Sequence, residues 1–164
     1  MLILGIDPGT AVCGFGVIES PRSNIYSCVD YGTIRSSAGN PQPDRLKKIY
    51  DGITKIIQTY HPDLMALEDV FYGQNVQAAL KLGQARGAVM IAGVNAGIPV
   101  TTFAAREVKQ SLTGYGAASK EQVQRMVQVM LQLKEAASPL DASDALAIAL
   151  CHAQRWWTDQ KLKK

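Results

Sequence analysis

Four acidic residues stand where acids are costly. Asp7 closes the apolar run LILGI, Glu68 lies inside LMALEDVF, and Asp141 and Asp144 open a stretch that continues ALAIAL. An ionised carboxylate in apolar surroundings is unfavourable unless it is paired or binds a metal. Side chains alternate along a strand, so Glu68 faces opposite to Leu67 and Asp69. Asp141 and Asp144 are three positions apart and share one helix face. A central strand, its neighbour and a facing helix therefore bring Asp7 and Glu68 together with one or both of Asp141 and Asp144. Such a cluster repels itself. Divalent cations relieve the repulsion, and an all-oxygen donor set suits Mg²⁺ or Mn²⁺ better than zinc. Singly, each acid has a plainer reading: Asp7 and Asp141 as turn or cap residues, Glu68 as a surface acid, Asp144 as a first-turn acid favoured by the helix dipole. Two acids inside apolar strands, taken with the other pair, favour the cluster.

The elements that must position these acids are legible as periodicity. Leu2–Asp7 runs as a strand into the turn Asp-Pro-Gly-Thr. CGFGVIES (Cys13–Ser20) and IYSCVDYGTIR (Ile25–Arg35) continue it as a β-meander. From Asp44 to Tyr60, Leu46, Ile49, Ile53, Ile56 and Ile57 recur at helical spacing. Leu64–Phe71 reads as a fourth strand, and Asn75 caps a long Ala/Gly-rich helix reaching about Asn95. Gly97-Ile98-Pro99 ends that helix, and Pro99–Phe103 is the fifth strand. Three helices follow: Ala104–Leu112, one capped by Ser119 and reaching about Leu133, and Asp141 to about Trp157. The order implies an α/β fold, a mixed five-stranded sheet with helices on both faces. Right-handed crossovers make strands one, four and five parallel.

Composition narrows the classes. A chain of 164 residues is one domain, long enough to hold a core without disulfides or metal. We divide it as a domain over 1–157 and a basic tail over 158–164. No run of about 18 apolar residues is present, and MLILGIDPGT lacks the basic and apolar regions of a signal peptide, so a cytoplasmic location is expected. Cys13, Cys28 and Cys151 are widely spaced with no CxxC, as in reduced structural thiols, and His61 and His152 make no zinc pattern. The net charge of +3 does not by itself imply nucleic acid, though the second half of the chain is the basic half.

GIDPGT with GFGV, then LMALEDVF, LKLGQARG, VKQ with GYGAASK, and DASDALAIALCH occur in order over about residues 1–153. This succession resembles the bacterial RuvC-type Holliday-junction resolvases. The resemblance implies a ribonuclease-H-like single domain and a Mg²⁺-dependent homodimer that nicks four-way junction DNA. It implies two Mg²⁺ per active site, with Mn²⁺ as a substitute, and a branch-migration motor complex of the RuvA/RuvB type as partner. Asp7, Glu68, Asp141 and Asp144 match the family's metal-binding carboxylates. The third of these is Asp or His among relatives, and Ser143 stands where the family often has Ala. One ion would lower the pKa of a bound water and the other would stabilise the leaving 3′ oxygen, giving a 5′-phosphate and a 3′-hydroxyl.

Lys109 and Lys120 match basic positions of the family. Lys120 follows the Gly114–Gly116 loop and is expected near the scissile phosphate; the plain alternative for either lysine is a solvated surface side chain. Lys81 and Arg86, on the long helix, would touch phosphates or simply cover its surface. Phe71 matches the family's aromatic and would wedge between bases, unless it closes the end of the sheet as a core residue. For Tyr72 the core reading is the better one. Small residues along the long helix suit packing on the sheet and, by resemblance, across a twofold axis.

Other readings are weaker. The Asp-Pro-Gly-Thr turn also resembles the phosphate turn of sugar kinases and actin-like ATPases, but those need two such domains. No GxxxxGK[ST] is present, and Gly14-Phe-Gly16 lacks the third glycine of a dinucleotide loop. A YqgF-like nuclease acting on RNA would not explain LKLGQARG. Four intact carboxylates argue against a junction-binding protein without catalysis.

Overall fold

The computed structural model describes residues 1–37, 39–69 and 75–163. β1 (Leu2–Asp7), β2 (Val12–Arg22) and β3 (Ile25–Arg35) form the antiparallel meander. After α1 (Gln42–Tyr60), β4 (Leu64–Glu68) returns parallel to β1. After α2 (Val76–Asn95), β5 (Val100–Phe103) pairs parallel to β4. The sheet order is β3-β2-β1-β4-β5, so β1 lies at its centre. α3 (Ala105–Thr113), α4 (Lys120–Met130) and α5 (Leu140–Leu162) complete the chain. The expected α/β class, with one mixed five-stranded sheet, is the observed one.

Alternation divides the core into two layers. Leu4, Ile6, Val17, Met65 and Leu67 point to one face and pack against Ile49, Ile53 and Ile57 of α1 and Ala85, Val89 and Ala92 of α2. Ile3, Ile18, Ala66 and Phe103 point to the other, against Leu146 and Leu150 of α5, Val108 of α3 and Val127 of α4. The helices therefore lie on both faces, as the element order requires.

Local chemistry explains the helix boundaries. Ser119 and Gln122 form a reciprocal capping box at the start of α4. α2 stops in a Schellman turn: Gly97 takes φ +72°, its N–H donates to the Val94 carbonyl, and the Ile98 N–H donates to the Gly93 carbonyl. α4 ends earlier than its apolar period suggests, because Gln132 turns into the left-handed region at φ 51°. α5 runs on past Trp157 to Leu162 and takes in much of the stretch expected to be a tail. Its later turns are anchored, with the Trp157 indole N–H donating to Ser20 Oγ at 2.9 Å.

Candidate active site

Asp7 is the last residue of β1, and Gly14 of β2 lies directly opposite it. Glu68 is the last residue of β4 and pairs with Phe103 of β5. Both acids share the sheet face that packs on α5, because they alternate with Ile6 and Leu67 of the opposite layer. The first turns of α5 bring Asp141 and Asp144 to that same end of the sheet. A cleft of about 250 Å³ opens there, lined by Asp7, Glu68, Asp144, Lys109 and Lys120 among others.

The seat of α5 is built from glycine. A Cβ on Gly5 would lie 2.1 Å from the Ala145 carbonyl oxygen, and one on Gly14 would lie 2.0 Å from the Asp141 carbonyl oxygen. On Gly16 it would meet Leu146 at 2.7 Å. Gly5 and Gly16 face each other across the β1–β2 ladder. The helix backbone thus rests on the strand backbone, with Ala142, Ala145 and Ala149 buried beside the contact. This contact, and the Trp157 anchor farther along, fix where Asp141 and Asp144 stand relative to Asp7. Reading for chemistry missed these glycines. A signal was present: glycine weakens a strand interior and often marks close backbone approach, and here it recurs opposite an alanine-rich helix.

The acids lie close enough to act on one another's charge. Burial first, then repulsion from Glu68, Asp144 and Asp141, pushes Asp7 up to about 7. Burial, then Asp144, raises Glu68 above the usual carboxylate range, while Lys120 and Lys109 pull it back. Asp141 thus belongs to the field of the cluster, although it does not line the cleft. Lys120 Nζ lies 3.3 Å from Asp144 Oδ2, and this pairing is the main reason its ammonium is raised. Among the described residues, no three carboxylate, imidazole or thiol groups already converge as a metal cage. The cluster is open, with Lys120 supplying part of the compensating charge.

The remaining expected contacts sort by position. Lys109 lines the cleft beside Glu68, half-buried, and Lys120 is exposed at its rim. Lys81 is exposed on α2. Arg86 is turned inward, and its guanidinium lies 2.8 Å from Asp69 Oδ1. That pair crosses from α2 to the residue after Glu68 and steadies the end of β4. Phe71 and Tyr72 lie outside the described residues.

A mixed sheet of this order, with acids at the end of its central strand, defines a ribonuclease-H-like nuclease fold. The family model for crossover junction endodeoxyribonuclease RuvC matches residues 3–152, and the chain belongs to that family. It is 52% identical over 153 residues to the crossover junction endodeoxyribonuclease RuvC of Geobacter sulfurreducens, covering 93% of this chain and 92% of the relative. It is 53% identical over 153 residues to that of Geotalea uraniireducens, covering 93% and 88%. The structure of Thermus thermophilus RuvC in complex with Holliday junction substrate superposes with a TM-score of 0.92 at 35% identity, over 97% of this chain and 96% of the other. A yeast mitochondrial Holliday junction resolvase shares the fold, with a TM-score of 0.67 at 11% identity over 98% and 82%. Among the described residues, no helix is long and apolar enough to cross a membrane.

Proposed function

We propose that the cleft at the ends of β1 and β4 is where this chain, an endonuclease that resolves four-way DNA junctions, cuts its strand. The observation that carries the assignment is the clustering of Asp7, Glu68 and Asp144 around one cleft with two lysines at its side. The donor set fits a hard divalent cation, since it is carboxylate only, and burial together with repulsion from its neighbours raises Asp7 to about 7. Asp7, Glu68, Asp141 and Asp144 would hold two Mg²⁺, with Mn²⁺ as a substitute. When bound, such ions activate water and stabilise the departing 3′ oxygen.

The chain's own residues do the rest. Asp7, at the centre, orients the cluster from the rigid end of β1. Lys120 supplies positive charge beside Asp144 and lies close to where a phosphate would collect charge in the transition state. Lys109 acts from the other wall. Lys81 extends the phosphate contacts along α2, and Arg86 contributes through Asp69 by holding Glu68 in place. Phe71 follows Glu68 by three positions and is proposed as the wedge that opens the junction. Residues 1–157 form the nuclease unit, and the basic residues of 158–164 extend it.

The homodimer is proposed through the outer face of α2. Val76, Leu80, Ile91 and Val94 are exposed there, and a Cβ on Gly83 or Gly87 would meet nothing. Spaced by four and three, these positions make one stripe opposite the buried Ala85, Val89 and Ala92. Small residues in such a stripe allow a second copy to approach closely, and two symmetric sites suit paired nicks. A RuvA/RuvB-type motor and a cytoplasmic setting complete the reading by family resemblance.

The test is to incubate the protein with synthetic four-way, three-way and linear DNA in Mg²⁺ and to map the nicks. Paired nicks in two strands of like polarity, on the four-way junction in preference to linear duplex, are expected. Equal cutting of linear duplex at the same salt contradicts the proposal.

A further inference from the structure

A second hollow adjoins the catalytic cleft. It measures about 800 Å³ and lies between α3 and the loop at residues 114–117. Lys109 and Ala105 line both spaces, so Lys109 stands on the ridge between them. On the far side of that ridge, Arg106, Gln110, Tyr115 and Gly116 form the walls. Asp69 supplies an acid at the edge, but Arg86 already lies beside it at 2.8 Å. Arg106 and Lys109 make no ion pair among the described residues. The hollow is thus open, basic on balance and shares the Lys109 wall with the cleft that holds the acids.

Its outer wall is held in shape. Gly114 takes φ +76°, and its carbonyl accepts from Gln110 Nε2 at 2.7 Å. The Tyr115 N–H donates to Thr113 Oγ1 at 3.1 Å, and the Ala118 N–H donates to the Tyr115 carbonyl at 3.1 Å. Tyr115 is nevertheless 62% exposed. Arg106 lies along Gly116, where a Cβ would come within 2.8 Å of Arg106 Cγ. A fixed backbone therefore presents a free aromatic face, with a guanidinium beside it. That is the pairing by which proteins hold a nucleotide without reading its sequence: a ring for the base and a cation for the phosphate. The volume is sufficient for a ligand of nucleotide size.

We propose that this hollow holds the nucleotide next to the scissile phosphate, with the base stacked on Tyr115 and its phosphate on Arg106. The inference rests on the nuclease reading of the cleft, because the shared Lys109 places the occupant next to the strand that would be cut. Tyr115 and Arg106 would then orient the strand, with Lys109 holding it at the ridge. The hydroxyl of Tyr115 has no assigned part, and the ring does.

The test uses the full chain, a synthetic four-way junction and the variants Tyr115→Ala, Tyr115→Phe, Arg106→Gln and Arg106→Lys. Melting temperatures should match wild type, since neither side chain is buried. Tyr115→Ala should lower kcat/KM roughly tenfold, as expected for loss of one stacked base, while Tyr115→Phe stays near wild type. Arg106→Gln should weaken junction binding and reduce the slope of log affinity against log salt by about one; Arg106→Lys should restore the slope. A 5-iodouracil placed on either side of the cut site should photocrosslink to Tyr115. Wild-type cutting and binding by both Tyr115→Ala and Arg106→Gln, with no crosslink to Tyr115, would overturn the proposal. A wild-type chain that cuts no junction would overturn the nuclease reading instead, and binding and crosslinking would still decide the groove.

Discussion

The two faces of the sheet are packed by different means. Toward α1 and α2, branched and long side chains interdigitate: Leu4, Ile6, Met65 and Leu67 against Ile49, Ile53 and Val89. Toward α5, a side-chain layer of Ile3, Ile18 and Leu146 is joined by direct contact of strand and helix backbones over Gly5 and Gly14. A side-chain layer yields by tenths of an ångström when one methyl is lost. A backbone contact has nothing flexible to yield. The face that places the four carboxylates of the proposed site is the one with the stiff contact, and stiffness there is what preorganisation of such a cluster would require.

The contrast is broken most severely at Gly14. The methyl of Gly14→Ala would enter the Asp141 carbonyl, so α5 must lift or the strand must bend. A loss of about 3 kcal/mol or more in chemical denaturation is expected, since overpacking without a flexible neighbour lies at the costly end. Junction cleavage should fall by about 100-fold or more even where the protein still folds, because a displacement near 1 Å is enough. Near wild-type stability and rate would show that the seat is not what positions Asp141 and Asp144.

A middle-sized effect comes from Asp7. Its folded value of about 7 lies above the ordinary 3.8, so between those values the folded state keeps a proton that the unfolded state has lost. Stability from this group is therefore present below about 4 and is lost as pH rises through 7. His152 works in the opposite sense, since burial, followed by the charge of Arg155, lowers it to about 4. The comparison of wild type with Asp7→Asn isolates the first effect. Without metal, Asp7→Asn should be more stable by roughly 2–4 kcal/mol at pH 8, and the advantage should shrink toward pH 5. Parallel stability curves for the two proteins would mean that neither burial nor its neighbours perturb Asp7.

The smallest effect belongs to the other face. Ile53 is fully buried there, and Ile53→Val should cost about 0.5–1.5 kcal/mol with an unchanged cleavage rate. A rate loss as large as that of Gly14→Ala would erase the distinction between the faces.

Much of this was legible in the amino-acid sequence. Apolar runs with turn residues located all five strands, and the period of Leu46, Ile49, Ile53 and Ile57 located α1. The alternation around Glu68 correctly set it opposite Leu67 and Asp69, and Asp69 does meet α2 on the other side, through Arg86. Three things went unread, each because the partner lies far along the chain. The glycine seat depends on a helix more than a hundred residues away from β1. The ion pair of Lys120 with Asp144 joins two helices whose approach is set by the core between them. The extension of α5 to Leu162 draws on Trp157 reaching Ser20, which no local period reveals.

The central claim is that the carboxylate cluster around Asp7 performs the cutting, while the surrounding basic surface performs the binding. It is tested most directly by measuring junction cleavage and junction binding side by side for wild type and Asp7→Asn in Mg²⁺. Loss of one ligand of the site should abolish detectable nicking, with binding retained or strengthened, since affinity rests on phosphate contacts. Asp7→Asn that nicks four-way junctions at near the wild-type rate would contradict the account.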